Sequence, residues 1–181
     1  MFKGSDGIGP IGLEFPRRVS INITRKCNLS CAHCLSSSGI ADPDELTTEE
    51  LFGLIDQLKE AGKPTLAIGG GEPLMRKGIF EILAHARQNN VPTSMVTNGI
   101  LLNERIAEKL NALELTSITV SIDGLEKNHE LVRGKGSFEK TIRGIETLRR
   151  RVSTAKLNMR VTVNTKNVAD CLQLIRLAEE L

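Results

Sequence analysis

The chain has no tryptophan, no tyrosine and only five phenylalanines among its 181 residues. Bases and flavins are commonly gripped by stacked aromatic side chains, so a single nucleic-acid strand would find few platforms here. No basic block tracks a phosphate backbone either, because 24 lysines and arginines stand against 22 acidic residues, a formal net charge of +2. The densest basic run, Arg149-Arg150-Arg151, reads as the solvated end of a helix, where the macrodipole favours cations. Long apolar stretches are also missing. Residues 1–10 contain four glycines or prolines and no apolar run, so neither a secretory leader nor a spanning helix is expected, and the cytoplasm is the expected compartment. Neither nucleic acid nor membrane is an expected partner. A disulfide framework is not indicated, since three of the four cysteines fall within eight residues; such crowding in a non-secreted chain favours a metal site.

What is present is an alternation of short β-branched runs with longer amphipathic segments, the pattern of βα units around a parallel sheet. Five units are predicted, with strands over 19–24, 65–68, 93–97, 117–122 and 157–163, each followed by a helix. The first helix opens on Thr47, and Glu50 three residues later completes a capping box before Leu51, Ile55 and Leu58. Later core stripes are Ile79, Leu83 and Ala86; Ile106 and Leu110; Phe138, Ile142, Ile145 and Leu148; and Leu172 and Ile175 with Leu177 or Ala178. Ser137 is the expected cap of the fourth helix, following the glycine-rich loop Arg133-Gly134-Lys135-Gly136. No linker divides the chain, which reads as an N-terminal extension, 1–18, and one core, 19–181. A sheet left open after the fifth unit has an exposed edge, so a further segment or a partner chain is expected to cover it.

The run Arg25-Lys26-Cys27-Asn28-Leu29-Ser30-Cys31-Ala32-His33-Cys34 places three thiols at C-x3-C-x2-C spacing directly after the first strand. The carboxyl ends of parallel strands are where active sites collect. Three thiolates bind three irons of a 4Fe–4S cluster and leave the fourth iron open to a small molecule. Zinc held by the three cysteines and His33 is one competing reading, although adjacent residues on a short loop rarely chelate one tetrahedral ion together, and unliganded thiols are the other. Cys171, among Leu172, Leu174 and Ile175, reads as a buried, inert thiol.

After the second strand comes Gly69-Gly70-Gly71-Glu72-Pro73. Successive glycines allow a ligand to approach the backbone, or simply make a tight turn. A phosphate loop is excluded because no Gly-Lys-Ser/Thr follows, and a dinucleotide loop because Leu74 stands where the last glycine belongs. The other strand ends carry Thr97-Asn98-Gly99, Ser121-Ile122-Asp123-Gly124 and Val163-Asn164. Asn-Gly and Asp-Gly are turn formers as well as site candidates. Arg133 can clamp a carboxylate in bidentate fashion or serve as plain surface charge.

Together, the cysteine loop, the Gly-Gly-Glu-Pro loop and Ser-Ile-Asp-Gly at the fourth strand resemble the radical S-adenosylmethionine (radical SAM) superfamily. Cys34-Leu35-Ser36-Ser37-Ser38-Gly39 and Arg133-Gly134-Lys135-Gly136-Ser137-Phe138 are similar to the peptide maturases with a C-terminal SPASM extension, the mycofactocin maturase group in particular. The resemblance implies a partial (β/α)6 barrel of which this chain supplies the first five units as an open parallel sheet, stopping before the sixth strand. It implies that Cys27, Cys31 and Cys34 hold a 4Fe–4S cluster. Gly70, Gly71 and Glu72 would lie along the amino group of S-adenosylmethionine, Ser121 with Asp123 or Asn98 near its ribose, Arg133 near its carboxylate, and Val163 and Asn164 against its adenine.

The implied chemistry is reductive cleavage of the cofactor to a 5′-deoxyadenosyl radical that abstracts hydrogen from a peptide or small-molecule substrate, with electrons from an external donor. The sequence departs from that family at His33, where an aromatic residue is common, and at Gly69, where a hydroxyl residue is usual. The sixth strand, the SPASM region and the substrate-side acid or base are not in this chain. A non-catalytic iron–sulfur module and a zinc-stabilised binding domain are the readings that compete with an enzyme.

Overall fold

The computed structural model describes residues 16–181, so nearly all of the expected N-terminal extension, 1–18, lies outside the described residues. Five strands form one sheet in the order β1-β2-β3-β4-β5, every neighbouring pair parallel. They are β1 (Arg18–Asn22), β2 (Thr65–Gly69), β3 (Thr93–Thr97), β4 (Ser117–Ser121) and β5 (Lys156–Arg160). Between and after them run α1 (Thr48–Glu60), α2 (Ile79–Gln88), α3 (Glu104–Ala112), α4 (Glu126–Arg133), α5 (Ser137–Arg151) and α6 (Cys171–Glu180). Because strand order follows chain order, each right-handed crossover steps the same way, and the helices gather on one face. Among the described residues the sheet stays open, with β1 and β5 as its edges.

Side-chain alternation then divides the sheet. Leu66 and Ile68 of β2, Met95 of β3 and Ile118 and Val120 of β4 point into the helical layer. There they meet Leu51, Ile55 and Leu58 of α1, Ile79, Ile82, Leu83 and Ala86 of α2, Ala107 and Leu110 of α3, and Ile145 and Leu148 of α5. The alternate positions, among them Ser20, Asn22, Ala67, Gly69, Val96, Thr119, Ser121 and Arg160, face the opposite, concave side. The capping box at Thr47 is formed in both directions, with the Glu50 N–H donating to the Thr47 hydroxyl and the Thr47 N–H to the Glu50 carboxylate. The basic run ends α5, and both Arg150 and Arg151 pair with Glu104 at the start of α3.

Four expectations need correction. The fifth strand stops at Arg160, so Val163 and Asn164 lie in the loop beyond it. Arg133 is the last residue of a helix, α4, that the sequence does not announce: only His129 and Val132 of it are buried, too few for an apolar stripe. Ser137 is inside α5 and the cap position belongs to Gly136, whose φ of 73° suits glycine; the Ser137 hydroxyl instead donates to the Gly134 carbonyl at 2.6 Å. On α6 the predicted stripe faces outward, since Leu172 is 74% and Ile175 58% exposed, and Leu174 is the residue that packs inward.

Candidate functional site

Beyond β1 the chain turns into the cysteine loop, and its base is closed by backbone bonds from Cys27 N–H to the Gly39 carbonyl and from Gly39 N–H to the Arg25 carbonyl. Glu45 fastens the same base: one of its oxygens accepts from the Thr24 hydroxyl (2.9 Å), the Arg25 N–H (2.7 Å) and the Asp42 N–H (3.1 Å). Burial raises the Glu45 carboxyl pKa, but these donors outweigh it and hold the group below its ordinary value. At the tip, Ala32 N–H donates to the Val132 carbonyl, so the end of α4 supports the loop.

All three thiols are free and half-buried. Burial pushes Cys27 and Cys31 up, while the Arg133 guanidinium acts against it at Cys31. At Cys34 burial is overcome by the Ser38 N–H, 3.3 Å from the sulfur, and by the Ser36 and Ser38 hydroxyls, so its pKa is lowered. Such donors favour the thiolate that metal binding requires.

The glycine loop after β2 lies along the start of the cysteine loop. Gly71 N–H donates to the Thr24 carbonyl (2.7 Å) and Glu72 N–H to the Lys26 carbonyl (2.8 Å). A methyl group on Gly70, at φ 118°, would come within 2.5 Å of the Thr24 oxygen, and one on Gly71 would collide with the Lys26 carbonyl. The smallness of these glycines is therefore taken up by the protein's own backbone, a use the sequence reading did not include. Glu72 is fully buried and turned inward. Its oxygens accept from the Leu74 N–H (3.1 Å), the Thr97 hydroxyl (2.8 Å) and the Asn98 N–H (2.8 Å), which binds the end of β2 to the end of β3. Burial raises its carboxyl pKa despite those donors.

Asn98 and Asp123 complete the rim. The Asn98 amide donates to the Asn28 side chain (2.7 Å) and approaches the Cys27 sulfur (3.9 Å). Asp123, 1% exposed, is a hub: one oxygen takes the Arg133 Nε–H at 2.5 Å and His33 Nε2 at 3.0 Å, and the other accepts the Thr162 N–H at 2.8 Å. His129 accepts the Asp123 N–H on Nδ1, and Asn167 donates to the Asp123 carbonyl. Buried Asp170 braces the turn by accepting from the Leu125 N–H and the Asn128 amide. His33 thus joins the cysteine loop to the end of β4. Glu45, Asn167 and Asp170 act across long sequence separations and His129 across six residues, and no local motif marks them.

These elements surround a cleft of about 480 Å³ on the concave face of the sheet. Cys27, Cys31, Cys34, Gly69, Gly70, Gly71, Asn98, Ser121 and Arg133 line it. Glu72 and Asp123 are packed behind its wall. Val163 is 56% exposed and outside the lining, Asn164 bonds within its own turn, and Thr162 is the residue of that segment that reaches the cleft. Cys171 is half-buried on the helical side, with its thiol 3.9 Å from the Asn167 carbonyl.

Among the described residues no three His, Cys, Asp or Glu side chains converge on a point where one metal ion would sit. No tetrahedral zinc arrangement is preformed there, and His33 is engaged by Asp123. A cubane cluster makes a different demand, because each thiolate binds its own iron and the sulfurs stand apart. Three thiols that line the one cleft, with no fourth protein donor converging on them among the described residues, fit that demand. The cleft volume falls in the roughly 300–1,000 Å³ range of small-molecule sites, and an arginine and backbone glycines open onto it.

Comparison with known proteins agrees with this geometry. The family model described as the radical SAM superfamily matches residues 21–178. The chain is 39% identical over 169 residues to an AdoMet-dependent heme synthase of Methanosarcina barkeri, covering 92% of this chain and 48% of that protein. It is 38% identical over 153 residues to the mycofactocin maturase MftC of Mycolicibacterium smegmatis, covering 83% and 39%. The crystal structure of Streptococcus suis SuiB bound to S-adenosylmethionine superimposes with a TM-score of 0.77 at 20% identity, over 92% of this chain and 38% of that one. The chain spans less than half the length of these relatives.

Proposed function

The chain belongs to the radical SAM superfamily, and from that membership we propose that it forms the cofactor-binding part of an enzyme that initiates radical chemistry on a peptide or on a small cofactor precursor. Members of the superfamily bind a 4Fe–4S cluster and S-adenosylmethionine. When bound, the cluster supplies the electron that splits S-adenosylmethionine into methionine and a 5′-deoxyadenosyl radical, the hydrogen-abstracting species. The observation that carries the reading is that three thiols, the backbone of the glycine loop and Arg133 open onto one cleft.

In this reading Cys27, Cys31 and Cys34 hold the cluster. Arg133 keeps its Nε–H on Asp123 and directs its remaining donors at the cofactor carboxylate. Gly70 and Gly71 present backbone along the amino group, while Ser121 and Asn98 serve the ribose from the carboxyl ends of β4 and β3. Glu72 and Asp123 set the positions of those groups from behind the wall, and the 162–164 segment closes the adenine side. Among the described residues no helix is long and apolar enough to cross a membrane, and we place the protein in the cytoplasm with an external electron donor. The core at 19–181 would be completed by a further segment or a partner chain carrying the substrate-side groups. Peptide or cofactor maturation is supported by the relatives named as a maturase and a heme synthase.

The test is anaerobic reconstitution with iron and sulfide, followed by electron paramagnetic resonance of the reduced protein with and without S-adenosylmethionine. A 4Fe–4S signal that shifts on adding the cofactor, 5′-deoxyadenosine among the products, and loss of iron in Cys31→Ala are expected. A cluster indifferent to the cofactor would leave an electron-transfer module. Iron retained by Cys31→Ala would remove the cluster assignment.

A further inference from the structure

The cleft that holds the three cysteines is lined by Arg18, Arg133 and Arg160, and among the described residues by no aspartate or glutamate. Acidic side chains are nearly as numerous as basic ones in this chain, so their absence from the described lining is a property of this cleft. Arg133 is committed, through its Nε–H, to Asp123. Arg160 is not. It ends β5 beside Ser121 in the β4–β5 register, is exposed on the concave side, and its side chain has no hydrogen-bond or ion-pair partner among the described residues. Arg18 at the opposite edge, on β1, likewise has no side-chain partner among the described residues. The floor between them is built of small or uncharged residues, Ser20, Asn22, Ala67, Gly69, Val96 and Thr119, which leave room above the sheet without offering a counter-charge.

Building on the function proposed above, we infer that the substrate carries an oxyanion, a carboxylate or a phosphate ester, and that Arg160 anchors it next to Ser121. A guanidinium on a strand is a rigid, forked donor whose geometry matches such a group in bidentate fashion. Arginines with no acidic side chain beside them in the described lining also raise the local concentration of anionic ligands before they dock. Arg18, remote along the sheet, adds to that field without holding the same group.

The probes are benzene hexacarboxylate and pyrophosphate, titrated calorimetrically into cluster-loaded protein saturated with S-adenosylmethionine. Binding of either is expected, and the tighter of the two tells carboxylate from phosphate. Arg160→Gln should weaken the preferred probe about 10- to 100-fold, as loss of a charge-assisted bidentate pair does. Arg160→Lys, which keeps charge without the fork, should fall between wild type and Arg160→Gln. Arg18→Gln should change binding by less than about threefold, the scale of a remote exposed charge. S-adenosylmethionine affinity should be the same in all variants. Absence of probe binding, equal binding by wild type and Arg160→Gln, or a fall in S-adenosylmethionine affinity with Arg160→Gln would each overturn the assignment. Cluster content and 5′-deoxyadenosine formation, followed in parallel, report the cofactor reading separately, so that failure of the anion site and failure of that reading are distinct results.

Discussion

Gly71→Ala is expected to destabilise the chain by about 3–5 kcal/mol. The added methyl would collide with the Lys26 carbonyl oxygen and carbon and lie 2.8 Å from the Arg25 carbonyl oxygen. These are backbone atoms of a segment pinned by Glu45 and by the Cys27–Gly39 closure, so no side chain can swing aside. Relief requires lifting the glycine loop off residues 24–26, which breaks the bonds from Gly71 N–H to Thr24 and from Glu72 N–H to Lys26. Each is worth about 1 kcal/mol net, and overpacking adds about 1–3 kcal/mol.

Gly53→Ala is the control. It lies within α1 with nothing within 4 Å of the new atom, and alanine exceeds glycine in a helix by about 0.5–1 kcal/mol. Urea unfolding followed by circular dichroism reads both changes: at a slope of about 2 kcal/mol per molar, the midpoint should fall by about 2 M for Gly71→Ala and rise by about 0.3 M for Gly53→Ala. An unchanged midpoint for Gly71→Ala would refute the packing reasoning. If that variant were stable but no longer bound S-adenosylmethionine, the glycine would belong to the ligand instead.

Two further perturbations address the hub at the end of β4. Burial, aided by Arg133, pushes His129 down to about 4, so the folded chain holds it neutral while the unfolded chain takes up a proton near 6.5. The stability this contributes is complete above pH 6.5 and declines by about 3 kcal/mol as pH falls to about 4. His129→Gln, which keeps an acceptor for the Asp123 N–H, should flatten that stretch of the urea-midpoint profile, and parallel profiles would exclude His129 as its source. Asp123→Asn leaves Arg133 without its buried counter-charge and should cost about 3–5 kcal/mol, about 10 °C in thermal midpoint for a chain of this size. Combined with Arg133→Met the loss should be less than additive; strictly additive losses would mean that the two side chains do not stabilise each other.

The five-unit parallel sheet was legible because its signals are local. β-branched runs mark the strands, and the Thr47–Glu50 box and the Leu51, Ile55, Leu58 stripe mark α1 at their own positions. Where a helix is held by only two buried residues, as α4 is by His129 and Val132, periodicity has nothing to register. The stripe on α6 was misread for the opposite reason: Leu172 and Ile175 have the right spacing, but spacing cannot say which side of a helix meets the sheet. The cysteine spacing is legible in the same way, because the separation of candidate ligands along a loop is a local quantity, and the fold brings all three thiols to one cleft.

What fixes those atoms in place is not local. A loop of this kind holds a cluster in one geometry only if its ends and tip are fastened to rigid elements. Here the fastening comes from Glu45 at the base, the α4 carbonyl of Val132 at the tip, and Asp123 through His33. Asp123 and Glu72 stand next to glycines in strand-end motifs, so the sequence reading aimed both carboxylates at the cofactor. In the fold each has exchanged exposure for three or more internal partners, and the groups left facing the cleft are those they position: Arg133 and the Asn98 amide. A carboxylate in a strand-end motif is therefore assigned to ligand or to scaffold by counting the donors that converge on it. That count depends on residues such as Thr162 and His33, dozens of positions away from it in the chain.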